Sequence, residues 1–172
     1  MTGPALRSWR PAYLAFLPGF LFAAEGSKPG YVAKAWLLAL LPSLALAALV
    51  SLAAPQSAAP RLESGGPLFL LLVVLVAPFL ETLLMIGPLW LLDRLLGPGP
   101  AAVGSALLWG LLHSLAAPAW GLVVWWPFLI LSIVFLTWRA LGLGTAVLLV
   151  TSVHAMQNCV AAALPLLFGP AG

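Results

Sequence analysis

The chain has 172 residues, of which 63% are hydrophobic and only 6% are charged. Soluble domains carry about 25% charged residues, so this composition excludes an ordinary soluble domain and predicts a multi-pass membrane protein. The net charge of +3 rests on few charges and makes no case for nucleic acid, and the single cysteine, Cys159, excludes an internal disulfide or a cysteine-cluster metal site.

The first 35 residues are predicted to form a basic segment at the membrane surface. Their apolar run, Pro11 to Ala24, is interrupted by Pro18 and Gly19 and reaches only about 21 Å as a helix. That length is short of a hydrocarbon core of ~30 Å, so we expect a short interfacial or re-entrant helix. A signal peptide is the alternative, which the prolines and the lack of a small-residue cleavage site disfavour.

Five apolar segments follow, and each is long enough to cross a bilayer. They comprise residues 36–54, 67–92, 101–117, 121–138 and 144–168. The fold class predicted from them is all-α, a multi-pass transmembrane helical bundle of about five spans. In this bundle, residues 67–168 form a four-helix core.

The basic residues predict the orientation of the bundle, because cytoplasmic loops are enriched in Lys and Arg. With the N-terminus inside, the inner segments carry all but one of them. The inner set is Arg7, Arg10, Lys28, Lys34, Arg94 and Arg139. The outer linker carries only Arg61. Since few lysines and many Ala, Leu, Gly and Pro are typical of bacterial chains, we expect a bacterial inner membrane protein with a cytoplasmic N-terminus and residue 172 outside.

Glu81 is the only charged residue in the second apolar segment, 67–92. A charged side chain at the centre of a spanning helix is unfavourable by about 2.5–3.5 kcal/mol on insertion scales, which makes such a residue a candidate for a functional site. The two histidines of the chain, His113 and His154, lie on other spans at a similar depth, roughly 15–18 Å from the predicted inner helix ends. Asn158 follows His154 by one helical turn. We therefore expect these four polar side chains to share one pocket.

The chemistry open to this set is limited. A carboxylate and an imidazole can together draw a proton from water, while a second imidazole and an amide can donate to a developing oxyanion. Water activation with oxyanion stabilisation predicts hydrolysis of an acyl group, and a peptide bond is the acyl group we favour.

At these residues the sequence resembles the CPBP family of intramembrane endopeptidases, named for CAAX proteases and bacteriocin-processing enzymes. The family has three ordered motifs: Glu-Glu-x-x-x-Arg, Phe-x-x-x-His and His-x-x-x-Asn. Glu81 stands at the first glutamate, Trp109-Gly-Leu-Leu-His113 at the second motif, and His154-Ala-Met-Gln-Asn158 at the third. Thr82 and Ile86 stand where the second glutamate and the arginine of the first motif would be.

The resemblance implies that Glu81 and His113 activate a water molecule and that His154 and Asn158 stabilise the oxyanion. It also implies a membrane-anchored peptide or protein substrate in contact with the lipid bilayer. We expect no cofactor. The supporting residues that we name are Thr82, Trp109 and Thr151.

Three alternatives remain open. A non-enzymatic scaffold or bacteriocin-immunity-type protein on a degenerate protease fold is favoured by the missing glutamate–arginine pair. Zinc bound by Glu81, His113 and His154 is a second alternative, although no second-shell carboxylate is evident to orient the histidines. Haem ligation by the two histidines is a third, and it leaves Glu81 and Asn158 unexplained.

The topology yields a prediction. A C-terminal alkaline phosphatase fusion, joined after Gly172, should be active because residue 172 is expected outside the cytoplasm, and a green fluorescent protein fused at the same point should be dark. The two reporters are measured in parallel in intact cells. An inactive phosphatase fusion together with a fluorescent green fluorescent protein fusion would contradict the predicted spans.

Overall fold

The computed structural model describes residues 9–54 and 66–168, with side chains up to residue 163. In these ranges the chain forms helices and turns and no strand. The five long helices are α1 (Lys28–Ala53), α2 (Pro67–Leu96), α3 (Pro98–Ala116), α4 (Gly121–Trp138) and α5 (Leu143–Phe168). All five are long and apolar enough to cross a membrane, so the predicted fold class is confirmed. The predicted outer Arg61 lies outside the described residues.

Several helices extend beyond the apolar segments that predicted them. The first begins at Lys28 rather than at residue 36, the second ends at Leu96 rather than at residue 92, and the third begins at Pro98 rather than at residue 101. Capping explains the early start of α1, because the Ser27 hydroxyl accepts a hydrogen bond from the Gly30 N–H at 3.3 Å. Hydropathy marks the part of a helix in the hydrocarbon, whereas capping residues mark where it begins.

The connection between α2 and α3 is a single residue, Gly97. Its φ of +84° is a left-handed conformation that glycine adopts without a steric penalty. The preceding turn of α2 is fixed by Asp93, whose carboxylate lies 2.7 Å from the guanidinium of Arg139 after α4. The two predicted inner loops therefore lie at the same end of the bundle, as five alternating spans require.

Helix α4 is the buried centre of the bundle. Every residue from 127 to 138 is buried, whereas the other long helices leave large apolar side chains such as Leu84 and Leu111 exposed. It packs against α1, α3 and α5. A helix that is apolar on all sides is one that its neighbours enclose, and side chains on α4 are therefore positioned to contact several helices at once.

The N-terminal apolar run does not form a spanning helix. It forms two 3₁₀ turns, Ala12–Leu14 and Gly19–Phe22, because Pro18 and Gly19 interrupt a longer helix. The second turn packs on α1 and α4, where the Leu21 carbonyl accepts hydrogen bonds from the Tyr31 hydroxyl at 2.8 Å and the Thr137 hydroxyl at 2.9 Å. The short helix expected at the interface is thus a pair of turns held against the bundle.

A proline inside α1 creates a connection to α4. Pro42 has no N–H, so the carbonyl of Leu38 loses the donor that a regular helix would supply. The indole N–H of Trp126 on α4 donates to that carbonyl at 2.8 Å. Neighbouring helices commonly supply such donors in membrane proteins, and this one ties the first span to the central helix.

Helices α3 and α4 approach each other closely at a pair of glycines. A Cβ atom built on Gly121 would overlap the backbone oxygen of Gly110. Small residues allow the close backbone packing on which helix association in lipid depends. Further along the same interface, the Ser132 hydroxyl donates to the Ser105 hydroxyl at 3.1 Å, with both side chains buried.

This contact predicts that Gly121→Ala destabilises the protein. The added methyl group must displace backbone, and overpacking of this kind typically lowers stability by about 1–3 kcal/mol. The measurement is the thermal midpoint of the detergent-solubilised protein, followed by the loss of its monodisperse chromatographic peak. Gly87→Ala is the matched control, since a Cβ atom there meets nothing within 4 Å. Equal midpoints for the two variants would contradict the close approach.

Candidate active site

The structure brings Glu81 of α2 against His154 of α5. Oε2 of Glu81 lies 3.5 Å from Nε2 of His154. This is longer than a hydrogen bond of 2.7–3.2 Å and within the ~4 Å of an ion pair. The Glu81 side chain is 28% exposed and the His154 side chain 7%, so the carboxylate is the member of the pair that a reactant can reach.

The contact with Glu81 assigns the proton on His154. A carboxylate accepts hydrogen bonds, so the facing Nε2 is the nitrogen that carries the hydrogen. The other ring nitrogen, Nδ1, then presents a lone pair. This Nδ1 atom is buried and has no hydrogen-bond partner among the residues that the structure describes.

His113 has the opposite arrangement. Its Nδ1 lies 2.8 Å from the carbonyl oxygen of Trp109, one turn earlier on α3. Since a carbonyl only accepts, Nδ1 of His113 carries the hydrogen and Nε2 presents the lone pair. The structure thus places Glu81 in contact with His154, whereas the family resemblance implied that the carboxylate acts together with His113. The roles of these residues in water activation stay predictions.

Phe128 of α4 packs against both histidines. Its ring centroid is 5.4 Å from that of His113 and 5.4 Å from that of His154. The indole of Trp109 stacks on Phe128 at 4.9 Å, with an angle of 4° between the ring planes, and its own centroid is 6.0 Å from that of His113. Sequence reasoning missed Phe128 because nothing distinguishes one phenylalanine in an apolar helix. Its depth, close to that of both histidines, is the only signal that points to it.

Asn158 binds a backbone carbonyl in an irregular part of α2. Residues Leu72–Val76 form a π-helical segment in which Ala77 donates to the carbonyl of Leu72. The next donor would come from Pro78, which has no N–H, and the carbonyl of Val73 accepts from the Asn158 amide instead, at 3.0 Å. One of the two amide hydrogens of Asn158 is therefore engaged in helix packing.

Two of the supporting residues, Thr82 and Thr151, differ in whether their hydroxyl groups are hydrogen-bonded, and Thr82 and Ile86 occupy the positions of the missing charged pair. The hydroxyl of Thr82 is satisfied within its own helix, donating to the Pro78 carbonyl at 2.7 Å, and its side chain is buried. Ile86 packs against the hydrophobic core. No charged pair is needed at these two positions, because their surroundings are apolar or satisfied by the backbone. By contrast, the hydroxyl oxygen of Thr151 is buried and has no partner.

An apolar cavity of about 460 Å³ lies beside this site, between the N-terminal half of α2 and the C-terminal half of α5. It is lined by Leu70, Leu71, Val74, Leu75, Cys159, Ala162 and Ala163. Its lining is adjacent in sequence to the Val73–Asn158 hydrogen bond. Leu71 and Leu75 are exposed, so the cavity opens on the outer surface of the bundle next to the polar residues.

The zinc alternative requires three ligands around one point. In the described part of the chain, no three His, Cys, Asp or Glu side chains are arranged to hold a metal ion. Glu81, His113 and His154 therefore do not form such a group in the described structure. The three residues do not fit zinc ligation as they stand, and no step below uses a metal.

Comparison with known proteins adds no relative. No protein-family model matches the chain, and neither does any curated protein or any solved structure. The functional proposal therefore draws on the geometry of these residues and on the order of their motifs.

The bond between Asn158 and Val73 predicts a loss of stability in Asn158→Leu. The substitution keeps the size of the side chain but removes the donor, and interhelical hydrogen bonds in membrane proteins contribute about 0.6 kcal/mol on average and up to about 1.7. The thermal midpoint in detergent should fall accordingly. Ser152→Ala is the control, because the Ser152 hydroxyl is exposed and bonded to its own helix. An unchanged midpoint in Asn158→Leu would show that the bond carries no stability.

Proposed function

We propose that the protein is an intramembrane peptidase that hydrolyses a peptide bond of a membrane-anchored substrate. The observation that carries the proposal is the Glu81–His154 pair, a carboxylate and an imidazole 3.5 Å apart inside apolar helices. Ionisable residues at such depth are rare and typically functional. A carboxylate next to an imidazole is a pair that can act as a general base.

In this proposal Glu81 is the base. Its Oε2 faces the Nε2–H of His154, which leaves Oε1 for a water molecule. The water gives a proton to Glu81 as its oxygen attacks the carbonyl carbon of the substrate. The proton then passes to the nitrogen of the leaving amine as the C–N bond breaks, and Glu81 returns to the carboxylate form. His154 orients the carboxylate through this contact. In a Ser-His-Asp triad the aspartate orients the histidine base, whereas here the histidine orients the carboxylate base.

The remaining polar groups have roles that follow from their free atoms. The lone pair on Nε2 of His113 is free to accept a hydrogen from the same water, because Nδ1 is bound to the Trp109 carbonyl. Asn158 keeps a second amide hydrogen beside the one given to Val73. Such an N–H is a donor of the kind that stabilises an oxyanion.

The apolar cavity supports the choice of substrate. Its volume of about 460 Å³ and its apolar lining favour a hydrophobic segment over a soluble peptide. The order of the three motifs and their resemblance to the CPBP endopeptidases supports peptide hydrolysis in particular. The predicted orientation in a bacterial inner membrane belongs to the same proposal.

A second candidate is a non-enzymatic membrane scaffold. Two observations favour it: His113 and Asn158 each hydrogen-bond a backbone carbonyl, as polar residues that hold membrane helices together do. The Glu81–His154 pair counts against it, because a scaffold gains nothing from an exposed intramembrane carboxylate.

The proposal predicts that Glu81→Gln abolishes cleavage. The amide keeps the size of the side chain but removes the base, and loss of a general base lowers the rate by about 10²–10⁴-fold. Membranes that contain wild type or variant protein are compared by sequencing new protein N-termini. Termini that depend on wild type identify the substrate, and a labelled peptide spanning one of them then gives the rate.

Glu25→Gln is the matched control, because the same substitution is made at an exposed residue outside the long helices. It should cleave at the wild-type rate, and all three proteins should be inserted and extracted in equal amounts. Wild-type cleavage by Glu81→Gln would reject the peptidase and leave the scaffold.

A further inference from the structure

Three buried polar atoms on α5 lack a hydrogen-bond partner among the described residues: the hydroxyl oxygen of Thr151, Nδ1 of His154 and Oε1 of Gln157. The atoms of Thr151 and His154 belong to residues three apart in sequence, and residues at this spacing share one side of a helix. We propose that these two atoms bind one water molecule in common, and that this water fixes His154 in the tautomer whose Nε2–H faces Glu81. The inference rests on the proposed peptidase and assigns Thr151 as a positioning residue for its base.

Among the described residues, only two buried hydroxyl oxygens lack a hydrogen-bond partner, those of Ser43 and Thr151. Threonine and serine in helices commonly donate to the carbonyl four residues earlier. Thr82 does so to Pro78 at 2.7 Å, and Ser152 does so to Leu148 at 2.8 Å. Thr151 makes no such bond, and its oxygen is nevertheless buried. Its hydroxyl is therefore available to another group.

Buried polar groups in proteins nearly always have a hydrogen-bond partner, and a water molecule commonly supplies it where two such groups are close. His154 is 6% exposed, so bulk water does not satisfy its Nδ1. A shared water accepts the Thr151 O–H and donates one of its own hydrogens to the lone pair on Nδ1. One molecule thus satisfies both atoms.

The consequence for catalysis follows from the tautomer. With Nδ1 accepting, the hydrogen of the neutral ring is on Nε2 and faces Oε2 of Glu81, 3.5 Å away. In the other tautomer, a lone pair would face a carboxylate oxygen at that distance, and the two would repel. The hydrogen bond at one ring nitrogen commonly decides which tautomer the other nitrogen presents.

The two histidines make the inference measurable without a substrate. They are the only histidines in the chain, so protein labelled with ¹⁵N-histidine and reconstituted in lipid contains two imidazoles. The hydrogen bonds predict opposite neutral tautomers, with the hydrogen on Nδ1 in His113 and on Nε2 in His154. His113→Gln and His154→Gln assign the resonances.

The test compares Thr151→Val, Thr151→Ala and Thr151→Ser with the wild type. Both variants without a hydroxyl should shift the Nδ1 resonance of His154 toward that of a nitrogen with no hydrogen bond, and the Nε2–H form should lose population. His113 should be unaffected. Serine, which keeps the hydroxyl, should restore the wild-type spectrum. Cleavage should fall roughly 10-fold without the hydroxyl and return with serine, as expected for the loss of one hydrogen bond.

Ser152→Ala is the control, since its hydroxyl bonds its own helix on an exposed face. It should change neither spectrum nor rate. An unchanged His154 spectrum in Thr151→Val and Thr151→Ala would overturn the inference. The proposed peptidase activity would not be affected by that result, because the Glu81→Gln variant tests it separately. Cleavage by Glu81→Gln at the wild-type rate would reject the peptidase instead, and the spectra would still decide where the water binds.

Discussion

In a hydrocarbon environment, a backbone carbonyl that loses its helical donor must obtain another one, and this constraint organises the bundle. Pro42 deprives the carbonyl of Leu38 of its donor, and Trp126 of the central helix supplies a replacement. In α2 the π-helical segment and Pro78 after it deprive the carbonyl of Val73 of its helical donor, and the side-chain amide of Asn158 supplies a replacement. Both replacement bonds run between helices. The irregularities in the backbone therefore determine which helices are tied together.

The second of these bonds also positions the candidate active site. Asn158 is one helical turn from His154, so its attachment to α2 holds His154 beside Glu81. Phe128 limits the movement of both histidine rings from the side of α4. The polar groups are thus held by packing and by backbone contacts, and in the Glu81–His154 pair the carboxylate is the partly exposed member.

The sequence allowed the helices and the depth of the polar residues to be predicted, because a hydrocarbon core imposes a strong pattern on composition. Glu81 and His154 could be placed together by counting residues from the ends of their spans. Phe128 and the Val73 carbonyl could not, since the first is one apolar residue among many and the second is a backbone atom. Helix ends were also misplaced, as at Lys28, because a cap such as Ser27 leaves no mark on hydropathy.

The burial of α4 has a consequence for the assembly of the protein in the membrane. The chain is synthesised from its N-terminus, so α1, α2 and α3 enter the bilayer before the helix that they enclose. Until α4 arrives, the Leu38 carbonyl has no Trp126 to bind, and the glycine face of α3 has no neighbour. The first three helices must therefore stay loosely associated, or be held by the insertion machinery, until α4 can enter between them.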